Sequence, residues 1–268
     1  MSAFSRKVAE LTGTAEERIE RLAGGDLSEV LLVPRGDGRA AVAKPAIGGA
    51  EAAMLRSIAA AGVPAPLVEA EYEGILLLDF VANDGIFSPA AWREIGSALH
   101  RLHARAGESY GWPVDYRLGT VELSNRPQSD WPRFWAEHRL VSTASVLDRP
   151  WRERVEALAE QVAELLPASP PPAHLHGDLW SGNILVAGGQ LAALIDPACY
   201  HGHSEVDLAM VALFDTPPDE FWESYGPLDE GWEERRPLYQ LFPALVHLRL
   251  FGPSYAGMVD RLLGEYGC

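Results

Sequence analysis

The sequence predicts an α+β fold of two lobes, a small β-rich N-lobe over residues 1–80 and a larger α-helical C-lobe over residues 81–268. Three observations carry that expectation. Short apolar runs separated by turn signals fill the first eighty residues, helical periodicity sets in at Ser88, and a polar loop leading into a β-hairpin is embedded late in the chain. A length of 268 residues suits one large domain or two lobes around a cleft.

In the N-lobe, residues 29–34 read as a strand, Arg35-Gly36-Asp37-Gly38 as a hairpin turn and residues 39–44 as the returning strand, which puts Lys44 at a strand end. Residues 48–61 are Ala-rich, with Glu51, Leu55 and Ile58 at i, i+4 and i+7, and Gly62 and Pro64 stop the helix. A carboxylate therefore lies on an apolar stripe. Residues 67–71 and 75–79 form a second hairpin about Glu73-Gly74, so this lobe is expected to hold a sheet and one helix. Residues 79–85 lose periodicity and read as a linker.

In the C-lobe, Ser88 is an N-cap with Pro89 at the first helical position, and Trp92, Ile95, Leu99 and Leu102 recur at helical spacing. Residues 131–147 and 151–166 read as two helices separated by Pro150, and residues 167–172, with four prolines in six, as an extended connector. Residues 184–186 and 191–195 pair around Gly188-Gly189, and the chain from Glu205 onward is mostly helical. No period of 20–50 residues repeats, which excludes solenoids and propellers.

Composition narrows the function classes. Twenty-two basic against 38 acidic residues give a net charge of −16, a field that repels phosphate backbones and anionic lipid and argues against nucleic-acid and membrane partners. With 47% hydrophobic and 22% charged residues the chain supports a normal core. Cys199 and Cys268 cannot build a disulfide framework, and Arg6, Lys7 and Glu10 stand where a secretory signal needs apolar residues, so a cytoplasmic protein is expected. A monomer is the default expectation for its oligomeric state. Only Lys7 and Lys44 are lysines, so position 44 is singled out as one where a compact ammonium was kept in an Arg-rich chain.

The most informative stretch is His174-Leu175-His176-Gly177-Asp178-Leu179-Trp180-Ser181-Gly182-Asn183, followed by Ile195-Asp196-Pro197. Asp178 and Asn183 have the D-x-x-x-x-N spacing of a protein-kinase catalytic loop. Phosphoryl transfer from ATP needs a carboxylate near the acceptor hydroxyl and oxygen ligands that hold Mg²⁺ against the phosphates. Asp178, Asn183 and Asp196 supply that set. Lys44 and Glu51 could form the ion pair that steadies a lysine on the phosphates, and residues 22–29, with Gly24, Gly25 and Ser28, could fold over them. Asp79-Phe80-Val81 would be the linker whose backbone, at Asp79 and Val81, meets adenine. Trp180 could stack on a sugar face, with core packing as the alternative.

The run from His176 to Asn183, with Ile195-Asp196-Pro197-Ala198 and Glu205-Val206-Asp207-Leu208-Ala209-Met210, closely resembles the fructosamine kinase (ketosamine 3-kinase) family of the protein-kinase-like fold. Gly24-Gly25-Asp26-Leu27-Ser28-Glu29, Asp130-Trp131-Pro132, Glu137-His138-Arg139-Leu140 and residues 234–241 extend the resemblance over nearly the whole chain. It implies ATP and Mg²⁺ as cofactors, Asp178 as catalytic base, Asn183 and Asp196 as metal ligands, Lys44 as phosphate lysine with Glu51 its partner, and Asp207 as the carboxylate bracing the catalytic loop. It also implies a ketosamine acceptor, free or on a glycated protein, whose unstable 3-phosphate eliminates and frees the amine. The chain departs from the family pattern at Leu123, Asn125 and Pro127, at Val246 and Arg249, and at His201, which puts the acceptor pocket in question.

Three other readings compete. A kinase for another alcohol, such as an aminoglycoside or amino alcohol, would keep Asp178, Asn183 and Asp196 but change the pocket. A non-catalytic nucleotide-binding regulator would have lost one of these or Lys44. His174, His176 and Asp178 could instead ligate the metal of a hydrolase, although Leu179 replaces the histidine usual there. His201-Gly202-His203 reads as a surface turn, and Cys199 as a small buried residue.

Overall fold

The computed structural model describes residues 2–22, 28–36, 38–46 and 49–268. The chain opens with α1 (Ala3–Thr12), capped by the Ser2 hydroxyl accepting from the Ser5 N–H. Strands β1 (Glu20–Arg21), β2 (Leu31–Pro34) and β3 (Ala40–Pro45) follow, then α2 (Ala50–Ala60), β4 (Val68–Tyr72) and β5 (Ile75–Asp79). They form one antiparallel sheet in the order β1-β2-β3-β5-β4. The strand period of two divides its faces. Ala41 and Ala43 pack with Val8 of α1, whereas Val42 packs with Ala52 and Leu55 of α2. Lys44 shares the parity of Val42 and so projects toward α2. The β4–β5 turn places Glu73 and Gly74 at φ 49° and 77°, the left-handed pair a tight hairpin requires.

The expectation of a single N-lobe helix is corrected by α1, a short helix with one fully buried apolar residue, Val8. Phe4, Val8 and Leu11 recur at i, i+4 and i+7, so the helical spacing is present in these ten residues, with Phe4 packed beside Val8 and Leu11 left exposed.

The rest of the chain runs through α3 (Pro89–His103), a hairpin of β6 (Tyr116–Leu118) and β7 (Val121–Leu123), α4 (Trp131–Trp135), α5 (Arg149–Ala159), β8 (Ala173–Leu175), β9 (Ile184–Ala187), β10 (Gln190–Leu194) and β11 (Tyr200–Gly202). It ends with α6 (Glu205–Phe214), α7 (Asp219–Tyr225), α8 (Trp232–Phe251) and α9 (Ala256–Gly264). Ser88 caps α3, its hydroxyl accepting from the Ala91 N–H at 3.0 Å. Trp131, Phe134, Trp135, Tyr200 and Tyr239 are among the buried aromatics that join the helices in one core. No described helix is long and apolar enough to cross a membrane.

Three local expectations need correction. The helix expected over residues 131–147 loosens to π spacing at Ala136–Val141, which turns Arg139 into the core at 0% exposure. Its guanidinium lies 4.0 Å from the Tyr200 ring centroid and donates to Ser124 O at 2.8 Å and Asn125 Oδ1 at 2.7 Å. Pro150 lies in the first turn of α5, where its missing N–H costs nothing, and the helix stops at Ala159 before a separate turn, Val162–Leu165. His201-Gly202-His203 is no surface turn: His201 and Gly202 belong to β11, paired to β8, and His203 is buried.

Candidate active site

Lys44 Nζ lies 2.8 Å from Glu51 Oε1 of α2 and 2.5 Å from Asp196 Oδ1, so one ammonium is shared between two carboxylates. Burial opposes the charge on Lys44, but Asp196 and then Glu51 outweigh it and hold its pKa above the usual lysine range. Burial raises the Glu51 carboxyl, with Lys44 opposing. Asp196 lies two residues beyond β10, at φ 53°. That left-handed conformation, uncommon for a residue with a side chain, marks a turn held by its surroundings. Ile195 N–H donates to Asn183 O at 3.0 Å, tying this turn to the loop opposite.

That loop, from His176 to Asn183, is held from both sides. Asp207, 1% exposed on α6, accepts the His176 N–H at 2.7 Å and the Gly177 N–H at 2.9 Å, and His103 Nε2 lies 3.1 Å from the same carboxylate. Burial disfavours the Asp207 charge, but the contacts with His103, His176 and Gly177 prevail and lower its pKa. His176 Nε2 lies 3.0 Å from Ile195 O. Gly177 sits at φ 81°, and a Cβ there would come within 2.1 Å of Ala198 O, so the turn excludes any side chain. Asn183 Nδ2 donates to Asp178 O at 2.7 Å and Asp178 Oδ2 at 3.0 Å. Burial pushes the Asp178 carboxyl up to about 7, with Asn183 opposing and the charges of Asp196 and Asp207 adding to the rise.

These groups share a cavity of about 530 Å³ lined by Ser28, Lys44, Glu51, Asp178, Trp180, Asn183 and Asp196. Asp79 and Val81 are not in its lining, and the Asp79 carboxylate is engaged by the Leu67 N–H. Gly24 and Gly25 lie outside the described residues. Asp207 acts from behind the loop and does not reach the cavity.

Two walls were not assigned to the cavity from the sequence, apart from Val246, which the departures from the family pattern had singled out. Tyr116, Arg117, Leu118, Gly119 and Thr120 enter from the β6–β7 hairpin, and Val246, His247, Leu250 and Phe251 from the end of α8. The hairpin is anchored at its base by Asn125, whose N–H donates to Asp115 Oδ1 and whose side-chain oxygen receives Arg139. Burial first, then the charges of Glu51, Asp196 and Asp178, hold the Tyr116 phenol well above its usual range, so it remains an O–H donor. Of the positions departing from the family pattern, Val246 alone lines the cavity; Leu123, Asn125, His201 and Arg249 do not. A short three-residue strand without strong alternation gives little local signal of where it will dock.

The donor set fits a hard cation. Asn183 has its amide N–H groups turned to Asp178, leaving the amide oxygen as its remaining polar atom, and Asp196 contributes a half-exposed carboxylate at the same cavity. Oxygen ligands of this kind suit Mg²⁺. His174, His176 and Asp178 do not form a metal cluster: among the described residues the one grouping close enough to share an ion is His203, Glu205 and Asp229, and there Glu205 is engaged by Arg235 at 2.8 and 2.5 Å. Cys199 is buried.

The fructosamine kinase family profile matches residues 1–266. A probable ketoamine kinase of Thermus thermophilus is 36% identical over 250 residues, 90% of this chain and 91% of that one. A chloroplastic protein-ribulosamine 3-kinase of rice is 34% identical over 185 residues, 64% of this chain and 53% of the rice protein. A crystal structure of a fructosamine-3-kinase candidate from Thermobifida fusca superposes with a TM-score of 0.86 at 32% identity, covering 98% of each chain. A macrolide 2'-phosphotransferase of Brachybacterium faecium, at 16% identity and a TM-score of 0.63 over 96% of each chain, shares the fold alone. With a kinase-like fold, a Lys-Glu-Asp cluster facing an Asp-Asn loop, and the family profile running from end to end, the chain belongs to the fructosamine kinase family.

Proposed function

We propose that the protein transfers the γ-phosphoryl group of ATP to the 3-hydroxyl of a ketosamine, free or attached to a glycated protein. The observation that carries this reading is the meeting of Lys44, Glu51 and Asp196 with Asp178 and Asn183 in one cavity. Asp178 accepts the proton of the sugar hydroxyl as that oxygen bonds to the γ-phosphorus, the bond to the β,γ-bridging oxygen breaks, and ADP leaves. Asn183 holds the Asp178 carboxylate in orientation. Lys44, fixed by Glu51, supplies a point charge for the phosphates, with Ser28 in the lining of the same cavity. Asn183 and Asp196 would hold Mg²⁺, which, when bound, neutralises phosphate charge. Asp207 keeps the loop in register through two backbone N–H groups, and Trp180 offers an aromatic face beside the base. Ser28 belongs to the phosphate loop in this reading, and the backbone at Asp79 and Val81 meets adenine.

ADP release should be Mg²⁺-dependent and stimulated by ketosamines such as a ribulosamine or fructosamine, with an aminoglycoside inert. Stimulation by an aminoglycoside or amino alcohol and by no ketosamine would replace this reading with that of another small-molecule kinase.

A further inference from the structure

The cavity has two chemically distinct sides. Its reaction side carries every carboxylate of the lining, namely Glu51, Asp178 and Asp196. The side supplied by α8 consists of Val246, His247, Leu250 and Phe251, which at i, i+1, i+4 and i+5 form one helical face. No fixed charge lies on that face. His247 is committed elsewhere: its Nδ1 lies 2.8 Å from Pro243 O, and its ring sits against Phe214, Tyr255 and Phe251 at 4.6, 4.9 and 5.4 Å between centroids. Burial lowers its pKa, keeping it neutral. The nearby Arg249 is turned to Thr143 O at 3.2 Å and is absent from the lining, while Arg117, which lines the cavity from the β6–β7 hairpin, is paired with Glu122 at 2.5 Å.

Phe251 is 41% exposed and Leu250 half-buried, and both belong to the cavity that holds the base. Leu118 and Trp180 also line this cavity, as does Asp178. An acceptor seated with its hydroxyl at Asp178 has two ends to accommodate. In a ketosamine the amine nitrogen is two carbons from the reacting C3, so whatever the nitrogen carries must leave the reaction side within a short distance. Polyol hydroxyls are matched by the reaction side, and a hydrocarbon arm by the α8 face, where it would cover apolar surface at no cost in unpaired polar groups.

We infer that Val246, Leu250 and Phe251 form a subsite for the amine arm of the acceptor, selecting ketosamines whose arm is uncharged and apolar over those ending in a charge. This rests on the ketosamine reading and refines it. A terminal ammonium or carboxylate laid on this face would lose water and find no charged partner among Val246, His247, Leu250 and Phe251, while Arg117 is already paired with Glu122. The preference therefore falls on arms built from alkyl or aromatic amines.

The test compares three acceptors of the same sugar, made from n-hexylamine, 6-aminohexanoate and mono-protected 1,6-diaminohexane after deprotection, at saturating Mg-ATP with ADP release as the readout. We expect kcat/KM to be about 10-fold or more higher for the hexylamine adduct, the scale on which hydrophobic pockets discriminate. Leu250→Glu should shift the ranking about 10-fold toward the diamine adduct by a change in KM for the acceptor, and Leu250→Met should keep the original ranking. Equal kcat/KM for the three adducts, or a wild-type preference for the diamine, would mean that the arm points to solvent and would overturn the proposal. Should Leu250→Glu not fold, the wild-type comparison still decides. Absence of turnover with all three adducts, alongside turnover of a non-ketosamine alcohol, would overturn the ketosamine reading and this subsite with it, and is distinguishable from equal turnover.

Discussion

Lys44 Nζ lies 2.5 Å from Asp196 Oδ1, joining residues 152 positions apart. The same nitrogen lies 2.8 Å from Glu51, so the β3 lysine is the common partner of a helix carboxylate and a turn carboxylate that face one cavity.

Lys44→Arg keeps the charge but replaces a compact ammonium with a planar fork that cannot sit between Glu51 and Asp196 in the same place. We expect kcat/KM for ATP to fall by roughly 10²-fold or more, the scale of losing one well-placed electrostatic group. Glu51→Gln should cost about 10-fold, since it loosens the lysine without removing its charge. Initial rates with varied Mg-ATP, and circular dichroism to confirm folding, check both. Near-native kcat/KM in Lys44→Arg would remove the lysine from the proposed machinery.

The two aspartates should separate kinetically. Asp178→Asn can still accept from Asn183 but cannot take a proton, so kcat should drop about 10²-fold or more with Mg-ATP affinity nearly intact. Asp196→Asn should weaken Mg-ATP binding itself. Nucleotide titration of each variant distinguishes the roles, and equal losses of binding would mean that the assignment is wrong.

Gly177→Ala tests the loop geometry. At φ 81°, with Ala198 O 2.1 Å from the position of an added Cβ, the variant pays for a left-handed conformation and a backbone clash together. We expect a loss of at least about 2 kcal/mol in stability and of most activity. A chemical denaturation midpoint unchanged from wild type would contradict the packing described around Ala198.

Buried histidines set an acid limit on stability. Burial, aided by the nearby His201 ring, lowers the pKa of His174 to about 4, and burial, aided by Arg235, lowers that of His203 to about 3. Because the unfolded chain takes up protons near pH 6.5 while the native state resists them, stability present above that pH is lost as pH falls from about 6.5 toward 4 and 3. Each residue adds roughly 1.4 kcal/mol per pH unit to that slope inside its window. Denaturation midpoints measured from pH 7.5 to 5 should decline, and His203→Gln should flatten the decline. Asp178, held near 7, gains a proton over the same range and opposes the trend, so a His203→Gln profile parallel to that of the wild type is the result that would contradict the neutral burial of this ring.

The sequence by itself determined what depends on neighbours a few residues away. Strand parity and a hairpin set Lys44 on β3, helical spacing set Glu51 on the buried face of α2, Ser88 and Pro89 started α3, and Gly188-Gly189, at φ 57° and 77°, turned β9 into β10. The Asp178-to-Asn183 spacing and the family resemblance singled out the loop from His176 to Asn183 and the Asp207 that holds it. Tertiary structure alone decided the rest: that Asp196 reaches Lys44, that the β6–β7 hairpin brings Tyr116 toward the carboxylates, and that Leu250 and Phe251 complete the cavity wall. It also placed Arg139, a charge the sequence would put at the surface, among Phe134, Tyr200 and Phe242 with Asn125 as its partner. Periodicity and capping are written into contacts within one or two turns, whereas these placements close loops of 14 to 152 residues. Their outcome depends on which packed core and which buried polar groups meet once the elements have formed, and no short segment encodes that.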